Sequence, residues 1–500
     1  MGKLELLKVE NNISLPEHTE KIVVEPSCLT TIKQVVEHFA YSETVPELKD
    51  IAPHVVRVLN RDYSKVLIGG KSRLLMVNAC GVPMYIIPRE CCIHNLDLSI
   101  SYRATTPTGK PTTKTVNVFN IFMESPLANK FDSVEFNPKY TGDFGTTKNL
   151  FTGSKYEASK ISIKLVDKTS LFCFVTEHYP KALRFFEHLH DNICDGDWVA
   201  FQQFTAWLSD IINTPAVRPL FGVVMRSDEK GTGKSLIYEV MSEILGNMAF
   251  SSSTVDQVFG KFNAHLQNKL LVCGEEMSWG GKSETSSKMK DAITSSTMQI
   301  EPKGIDVITI DKFYRVMLID NNEWLVNASK DERRYLVLQV NPQQAQNSQY
   351  FAAIMQNGKA IPAVCEAVFH VLSAILHDVD MTRAYATEAL MEQKYLSMNS
   401  VEQWLCEVFD KETEVTLDGC GGISFTNRLK KAAIHGAYLR WFDDTRPLTK
   451  DRCSNPRTFG RKLVKLLSGG DEKILHSNNH GYLINIELAR DYFNQSYSVE

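Results

Sequence analysis

The chain has 500 residues, 43% of them hydrophobic and 23% charged, with a formal net charge of −4. That length suggests about three domains of ordinary globular composition, and a charge so near neutrality excludes a global basic field, so any nucleic-acid surface must be local. Eleven cysteines without a C-x-x-C pair fit reduced thiols rather than a disulfide framework, and no apolar run approaches the roughly twenty residues of a membrane helix.

Residues 1–174 read as a β-rich accessory domain. Lys65 to Val77 predicts a hairpin turning at Gly69-Gly70, and Met84-Tyr-Ile-Ile87 a further strand. Residues 103–114, rich in Thr, Pro and Lys, predict an exposed loop, and 137–154 a connector. Cys91, Cys92 and His94 are too few and too crowded for zinc, which makes them structural. No charged-then-apolar leader opens the chain. With the cysteines this points to a bacterial or infected-host cytoplasm and to no membrane partner.

Residues 175–215 form a helical lead-in. Leu183, Phe186, Leu189 and Ile193 follow one helical face, and Phe204, Trp207, Leu208 and Ile211 another. Such stripes serve equally as core or as an oligomerisation collar. Asp195-Gly-Asp197 falls between the two helical patterns, where a capping loop fits better than a polymerase metal site. With no other nucleotide-transfer motif in view, a complete primase is expected to be absent, which leaves open a primase or polymerase as a partner or on a longer parent chain.

Residues 216–345 carry the chemistry. After the apolar run Phe221-Gly-Val-Val-Met225 comes Asp228-Glu-Lys-Gly-Thr-Gly-Lys-Ser235, then a helix-forming run to Leu245. This is the strand–G-x-x-x-x-G-K-[ST]–helix pattern of a phosphate loop, with Asp228 at the first glycine. Lys230, Gly231, Thr232, Gly233, Lys234, Ser235 and Leu236 would cradle phosphates with backbone N–H groups and the positive helix end. Lys234 would reach the β- and γ-phosphates, and the Ser235 hydroxyl would ligate Mg²⁺. The strand Lys269-Leu-Leu-Val-Cys-Gly-Glu-Glu-Met277 ends in two carboxylates. Glu275 and Glu276 could hold Mg²⁺ and polarise water, with Glu275 a candidate metal ligand and the division of roles left open.

Met298 to Glu301 and Ile305 to Ile310 pair as a hairpin around Pro302-Lys303-Gly304. Tyr314 to Asn322 is a strand ending in amides, of which Asn321 or Asn322 could contact the γ-phosphate. Arg333 and Arg334, before the strand Leu336 to Val340, suggest a guanidinium that stabilises a transferring phosphoryl group. Residues 346–399 read as a helical connector. In 400–500, Arg428 to Lys473 holds twelve Lys or Arg against five acids. Helices near 426–442 and 455–467, then two short strands, predict a winged helix, with Arg457, Arg461, Lys462 and Lys465 set to meet DNA phosphates.

Phosphate loop, acidic strand end, Lys-bearing hairpin, strand–Asn and Arg pair, in that order, resemble a superfamily 3 helicase. The closer resemblance is to the helicase module of phage and plasmid primase-helicases, on Glu301-Pro-Lys-Gly304, Asn322-Glu323 and Asp331-Glu-Arg-Arg-Tyr335. Asp191 to Asp197 with Trp207-Leu208 resemble its lead-in, and Ala437-Tyr-Leu-Arg-Trp441 with Pro456 to Arg461 its tail. Leu59 to Tyr63 with Gly69-Gly-Lys71 resemble a segment found upstream of such modules. The resemblance implies an α/β fold with an AAA+-like P-loop core. It implies an ATP- and Mg²⁺-dependent ring, expected to be a hexamer, that translocates on single-stranded DNA and opens duplex DNA. Lys303 would then sit on a pore hairpin gripping DNA, and the Arg pair would act on a neighbouring subunit's ATP. The alternative is a non-translocating ATP-dependent origin binder or primase scaffold, and DNA-stimulated hydrolysis together with unwinding separates the two.

Overall fold

A computed structural model describes residues 28–42, 44–68, 70–77, 83–94, 96–260, 263–277, 283–300, 307–410, 428–479 and 481–495. The chain forms two compact units, Met1–Val134 with Gly145–Lys148, and Glu135–Phe144 with Asn149–Glu500. The division lies well before residue 174, because Phe136, Phe151, Leu165 and Leu171 belong to the core of the second unit.

The first unit is mixed α/β, which corrects the β-rich expectation. Helices α1 (Ile32–Ala40) and α2 (Leu48–Asp62) precede the hairpin β1 (Tyr63–Ile68) and β2 (Lys71–Val77), with β3 (Pro83–Ile86) added antiparallel. A capping box between Thr31 and Gln34 starts α1, the two-way bond that fixes a helix entry. In α2 the buried residues Ile51, Val55, Val58 and Leu59 repeat at helical spacing, which makes one apolar face. The stretch 103–114 is not a loop. Strands β4 (Ser99–Thr105) and β5 (Pro111–Asn117) pair antiparallel across it, with Thr105 opposite Pro111. Threonines favour a half-buried pleat, and a proline is tolerated as the first residue of a strand. Helix α3 (Val118–Glu124) closes the core of this unit.

The second unit is built on a five-stranded parallel sheet. Its strands are β6 (Gly222–Arg226), β7 (Ala249–Ser252), β8 (Leu271–Glu275), β11 (Arg315–Asp320) and β12 (Tyr335–Gln339), in the order β7-β8-β11-β6-β12. Between β8 and β11 lie helix α7 (Ser283–Thr294) and the antiparallel pair β9 (Thr297–Ile300) and β10 (Ile308–Asp311). Alternate strand residues enter opposite cores, as a pleated strand requires. Val223, Met225, Met317 and Ile319 join one core, and Val224, Val272, Val316 and Leu318 the other. Helices α4 (Lys168–His178), α5 (Trp198–Asn213), α6 (Lys234–Leu245) and α8 (Pro362–Ala374) cover the first face.

The lead-in is part of this core. Phe186, Leu189, Ile193, Phe204, Trp207, Leu208 and Ile211 are all buried with the sheet, while Leu183 packs at its margin. Asp197 caps α5 by accepting from the N–H groups of Val199 and Ala200 at 2.8 and 3.1 Å, as the capping reading expected.

After α9 (Glu388–Ser397) comes a module with its own core. It contains α10 (Ser400–Asp410), β13 (Arg428–Leu429), α11 (Lys431–Thr445), α12 (Pro456–Ser468), β14 (Leu475–Asn478), β15 (Gly481–Ile484) and α13 (Ile486–Gln495). Trp404, Tyr438, Phe459 and Leu463 lie at its centre. The three strands form one antiparallel sheet with β15 in the middle.

Candidate functional site

Three neighbouring strands, β8, β11 and β6, end on the same edge of the parallel sheet, Arg226 opposite Asp320 and Glu275 opposite Ile319. The carboxyl edge of such a sheet is where ligands bind, because the following loops converge there. A cleft of about 530 Å³ opens at this edge. Lys230 to Leu236, Glu275, Glu276, Asp320 and Asn321 all line it.

The loop after β6 runs into α6 with Gly231 at φ +76° and Gly233 at φ +86°. Both conformations suit glycine and strain other residues. A Cβ on Gly233 would stand 2.6 Å from Phe351 and 2.7 Å from His188. His188 is buried, with Nε2 3.3 Å from the Gly233 carbonyl, and burial pulls its pKa down to about 4. A neutral ring of that kind can donate to the carbonyl and brace the loop. The Gln346 N–H donates to the Gly231 carbonyl at 2.9 Å, so the segment after β12 holds the loop from its other side.

The polar groups inside the cleft contact one another. Lys234 donates to the Ser227 hydroxyl and to Asn321 Oδ1, the latter at 2.7 Å. Burial pushes the Lys234 ammonium down to about 8, opposed by the carboxylates of Asp320, Glu276 and Asp228. An anion entering the cleft would supply the charge that the buried ammonium lacks. Ser235 Oγ lies 3.3 Å from Glu275 Oε2. These two oxygen donors suit Mg²⁺, a hard cation that keeps waters and phosphate oxygens in its remaining positions.

The two departures from the motif have local causes. Asp228 accepts from buried Arg226 at 2.7 Å, so the loop entry is held by an ion pair in place of a glycine turn. Asp320 Oδ1 accepts from the N–H groups of Asn321 and Asn322 and from Asn322 Nδ2, at 2.7, 3.1 and 2.9 Å. The Asn322 side chain is thereby turned back on its own strand end, and Asn321 alone of the pair reaches Lys234. The acids also differ. Glu275 ends β8 beside Ser235, whereas Glu276 is exposed at φ +48°.

Arg333 and Arg334 are not at this cleft. They precede β12, at the opposite edge of the sheet, four residue steps or roughly 13 Å of strand away. Arg334 donates to Glu332, whose buried carboxylate also pairs with Lys290 at 3.1 Å. Arg333 is exposed, with no ion-pair partner among the described residues. The hairpin expected around Lys303 is present as β9 and β10, paired as far as Ile300 opposite Ile308; Lys303 itself lies outside the described residues. On α12, Arg457, Arg461 and Lys465 are exposed at successive i, i+4 positions opposite the buried Phe459 and Leu463. Lys462 is half-buried and 3.9 Å from Asp451.

Ser227, Arg226 and His188 carried no motif signal. Ser227 and Arg226 fall in the strand end that the loop pattern leaves unspecified, and His188 reads as one more residue in a helical run.

Residues 225–334 match a family described as a family of unknown function (DUF5906). The matched stretch begins at the end of β6 and closes on Arg334, so it includes the expected phosphate loop, both acids, both amides and both arginines. The DNA primase-polymerase of Nitratiruptor phage NrS-1 is 26% identical over 153 residues, 30% of this chain and 21% of that protein. The match thus spans about a fifth of that relative's length. Two solved apo structures of the NrS-1 C-terminal region share the fold. One superposes with a TM-score of 0.56 at 14% identity, covering 86% of this chain and 98% of that one. The other gives 0.51 at 17% identity, covering 73% and 79%. Among the described residues no helix is long and apolar enough to cross a membrane.

Proposed function

We propose that this chain is an ATP-driven DNA helicase of the superfamily 3 type serving phage genome replication. The observation that carries the reading is the Lys234–Asn321 contact of 2.7 Å in a cleft that also holds the Ser235–Glu275 pair. A cation suited to phosphate, an amide suited to sensing it and oxygens suited to a metal meet there from three adjacent strands, which supports the reading. The relationship to a phage primase-polymerase favours replication as the setting.

Lys234 binds the β- and γ-phosphates of ATP and, with the α6 N-terminus, balances their charge. Ser235 and Glu275 would hold Mg²⁺, which supplies further neutralisation of phosphate oxygens when bound. Glu276, exposed beside them, orients the attacking water and takes its proton as the bond from the γ-phosphorus to the bridging oxygen breaks. Asn321 leaves Lys234 for the γ-phosphate. Arg333 completes the site of a neighbouring subunit in a ring, since it cannot reach its own cleft. The C-terminal module acts as a winged helix whose α12 presents Arg457, Arg461 and Lys465 to DNA phosphates.

The test is a fluorescence unwinding assay with ATP on a forked duplex, alongside DNA-stimulated hydrolysis. Unwinding that vanishes in Lys234→Ala supports the reading. Hydrolysis and DNA binding without unwinding would favour the non-translocating origin binder or scaffold.

A further inference from the structure

Asn321 opens a loop, 321–328, with no regular secondary structure. Leu325, Val326 and Ala328 are nonetheless buried, and buried backbone must find partners for its N–H and C=O groups. Most of the partners found here come from one helix, α9. Gln393 is fully buried, and its Oε1 accepts from the N–H groups of Leu325 and Val326 at 2.7 and 3.2 Å. Its Nε2 donates to the Glu323 carbonyl at 2.7 Å. One turn on, Ser397 Oγ accepts from the Ala328 N–H at 3.0 Å and donates to the Val326 carbonyl at 3.2 Å. Residues four apart share a helix face, so one stripe of α9 templates the loop.

A second hold comes from the phosphate-loop strand. Arg226 donates to the Asn322 carbonyl at 3.2 Å and to Glu392 of α9 at 3.0 Å, as well as to Asp228. The backbone on the far side of Asn321 is therefore gripped at two consecutive carbonyls, by Arg226 at 322 and by Gln393 at 323. A backbone movement that carries Asn321 from Lys234 towards a phosphate would load these bonds.

Helix α9 also leads directly to the C-terminal module. Only Met398 and Asn399 separate it from α10, so Ser397 and Ser400 stand at most about 11 Å apart. The start of α10 is fixed in that module: the Ser400 N–H donates to Asp451 at 2.9 Å, and its hydroxyl is 2.7 Å from that of Tyr438. Gln403 reaches back to the Tyr395 carbonyl at 2.9 Å. The connection has little slack.

We infer that α9 sets the sensing amide and relays its state: Gln393 and Arg226 are positioning residues that hold Asn321 against the phosphate loop and couple it, through α9, to the basic C-terminal module. This rests on the nucleotide-site reading above. Its ligand is the γ-phosphate of a nucleoside triphosphate, read as a change in the module's grip on nucleic acid.

The experiment uses the full chain. It measures KM and kcat for ATP, and the affinity for a fluorescent single-stranded oligonucleotide with ADP and with a non-hydrolysable ATP analogue. Gln393→Leu keeps volume and removes the grip on the loop. Expected are a KM within about twofold of the parent, a kcat lowered about tenfold, and a nucleotide-dependent difference in oligonucleotide affinity that collapses towards one. A purely structural strut would lower the melting temperature and leave kcat per folded molecule and the affinity difference intact, which overturns the inference. A lowered kcat with the affinity difference retained overturns the relay. Should Gln393→Leu fail to fold, Ser397→Ala and the exposed Glu392→Ala each remove part of the same set; both must reduce the affinity difference, and no change in either overturns the inference. Lys234→Ala separates the two levels. If it binds the analogue as the parent does, the nucleotide site itself is wrong; if it loses binding while Gln393→Leu behaves as parent, only the relay fails.

Discussion

Lys234 and the cations of α12 carry the same charge in opposite surroundings. Lys234 is 6% exposed, bonded to Ser227 and Asn321, and its pKa is pulled down to about 8. Arg457, Arg461 and Lys465 are exposed, with no acid within ion-pair distance among the described residues. The first arrangement preorganises one group for one anion in a low-dielectric cleft, where each contact counts for much. The second leaves several solvated charges on a helix face, where each phosphate contact is weak, additive and screened by salt. Under the proposed function, catalysis and grip on DNA are therefore expected to fail differently when these residues are removed.

The arginine pair makes the sharpest test. Arg333→Ala should lower hydrolysis about a thousandfold or more, the scale of an arginine supplied to a phosphoryl group, with an unchanged melting temperature. Arg334→Ala should instead cost roughly 1–2 kcal/mol of stability, discounted for its partial exposure, because it removes a donor from buried Glu332. Mixing Arg333→Ala with Lys234→Ala protein should partly restore hydrolysis once subunit exchange has been shown by mass. Exchange without recovery would remove the trans role and the ring mechanism built on it.

Lys234→Ala by itself should lower hydrolysis about 10²–10³-fold, comparable to the loss of one preorganised donor to a charged transition state. Its far-ultraviolet circular dichroism should match the parent. Near-normal turnover in the folded variant would refute the cleft as the active site.

Much of this contrast was legible in the sequence, and the reasons are physical. A phosphate loop needs its glycines, lysine and serine contiguous, so the pattern at Gly231 to Ser235 can be read locally and the cleft around it follows. A basic helix shows in composition. The choice within each pair was not legible. Asn321 differs from Asn322 because Asp320 folds back on one of them, and Arg333 from Arg334 because Glu332 is buried beside one of them. Both contacts join residues two apart, but spacing alone does not say which member of the pair the carboxylate engages. Arg226 and His188 escaped for another reason: apart from Asp228, the partners described for them lie in distant segments. In the first unit, composition misled. Threonine and proline at 103–114 suggested a loop where cross-strand pairing makes a hairpin, and the apolar stripe of α2 went unread.

The depressed pKa of Lys234 gives an intermediate effect. In the proposed nucleotide site the charged form is the one that binds phosphate, and in the free protein that form is lost as pH rises through about 8. The value of kcat/KM for ATP, which reports the free enzyme, should hold below that pH and fall about tenfold per unit above it. The kcat should be flatter, because bound phosphates favour the ammonium. A kcat/KM level through pH 9.5 would mean that Lys234 does not meet the substrate.

The smallest effect belongs to the exposed helix, and salt reveals it better than affinity at one condition. Each cation that neutralises a duplex phosphate contributes about 0.9 to the slope of log affinity against log salt. Replacing Arg457, Arg461 and Lys465 together by Ala should flatten that slope by about 2.7, so the loss of binding per doubling of salt should shrink roughly sixfold. Hydrolysis without DNA should not change, since none of the three lies near the cleft. Lys462→Ala should contribute less than any of them, because Asp451 at 3.9 Å already engages its ammonium. The comparison stands on both readouts together. A fall in DNA-free hydrolysis would mean that the helix supports the ATPase fold, and an unchanged slope would mean that the DNA lies elsewhere. The pattern that keeps the two regions distinct is a flattened slope with turnover intact.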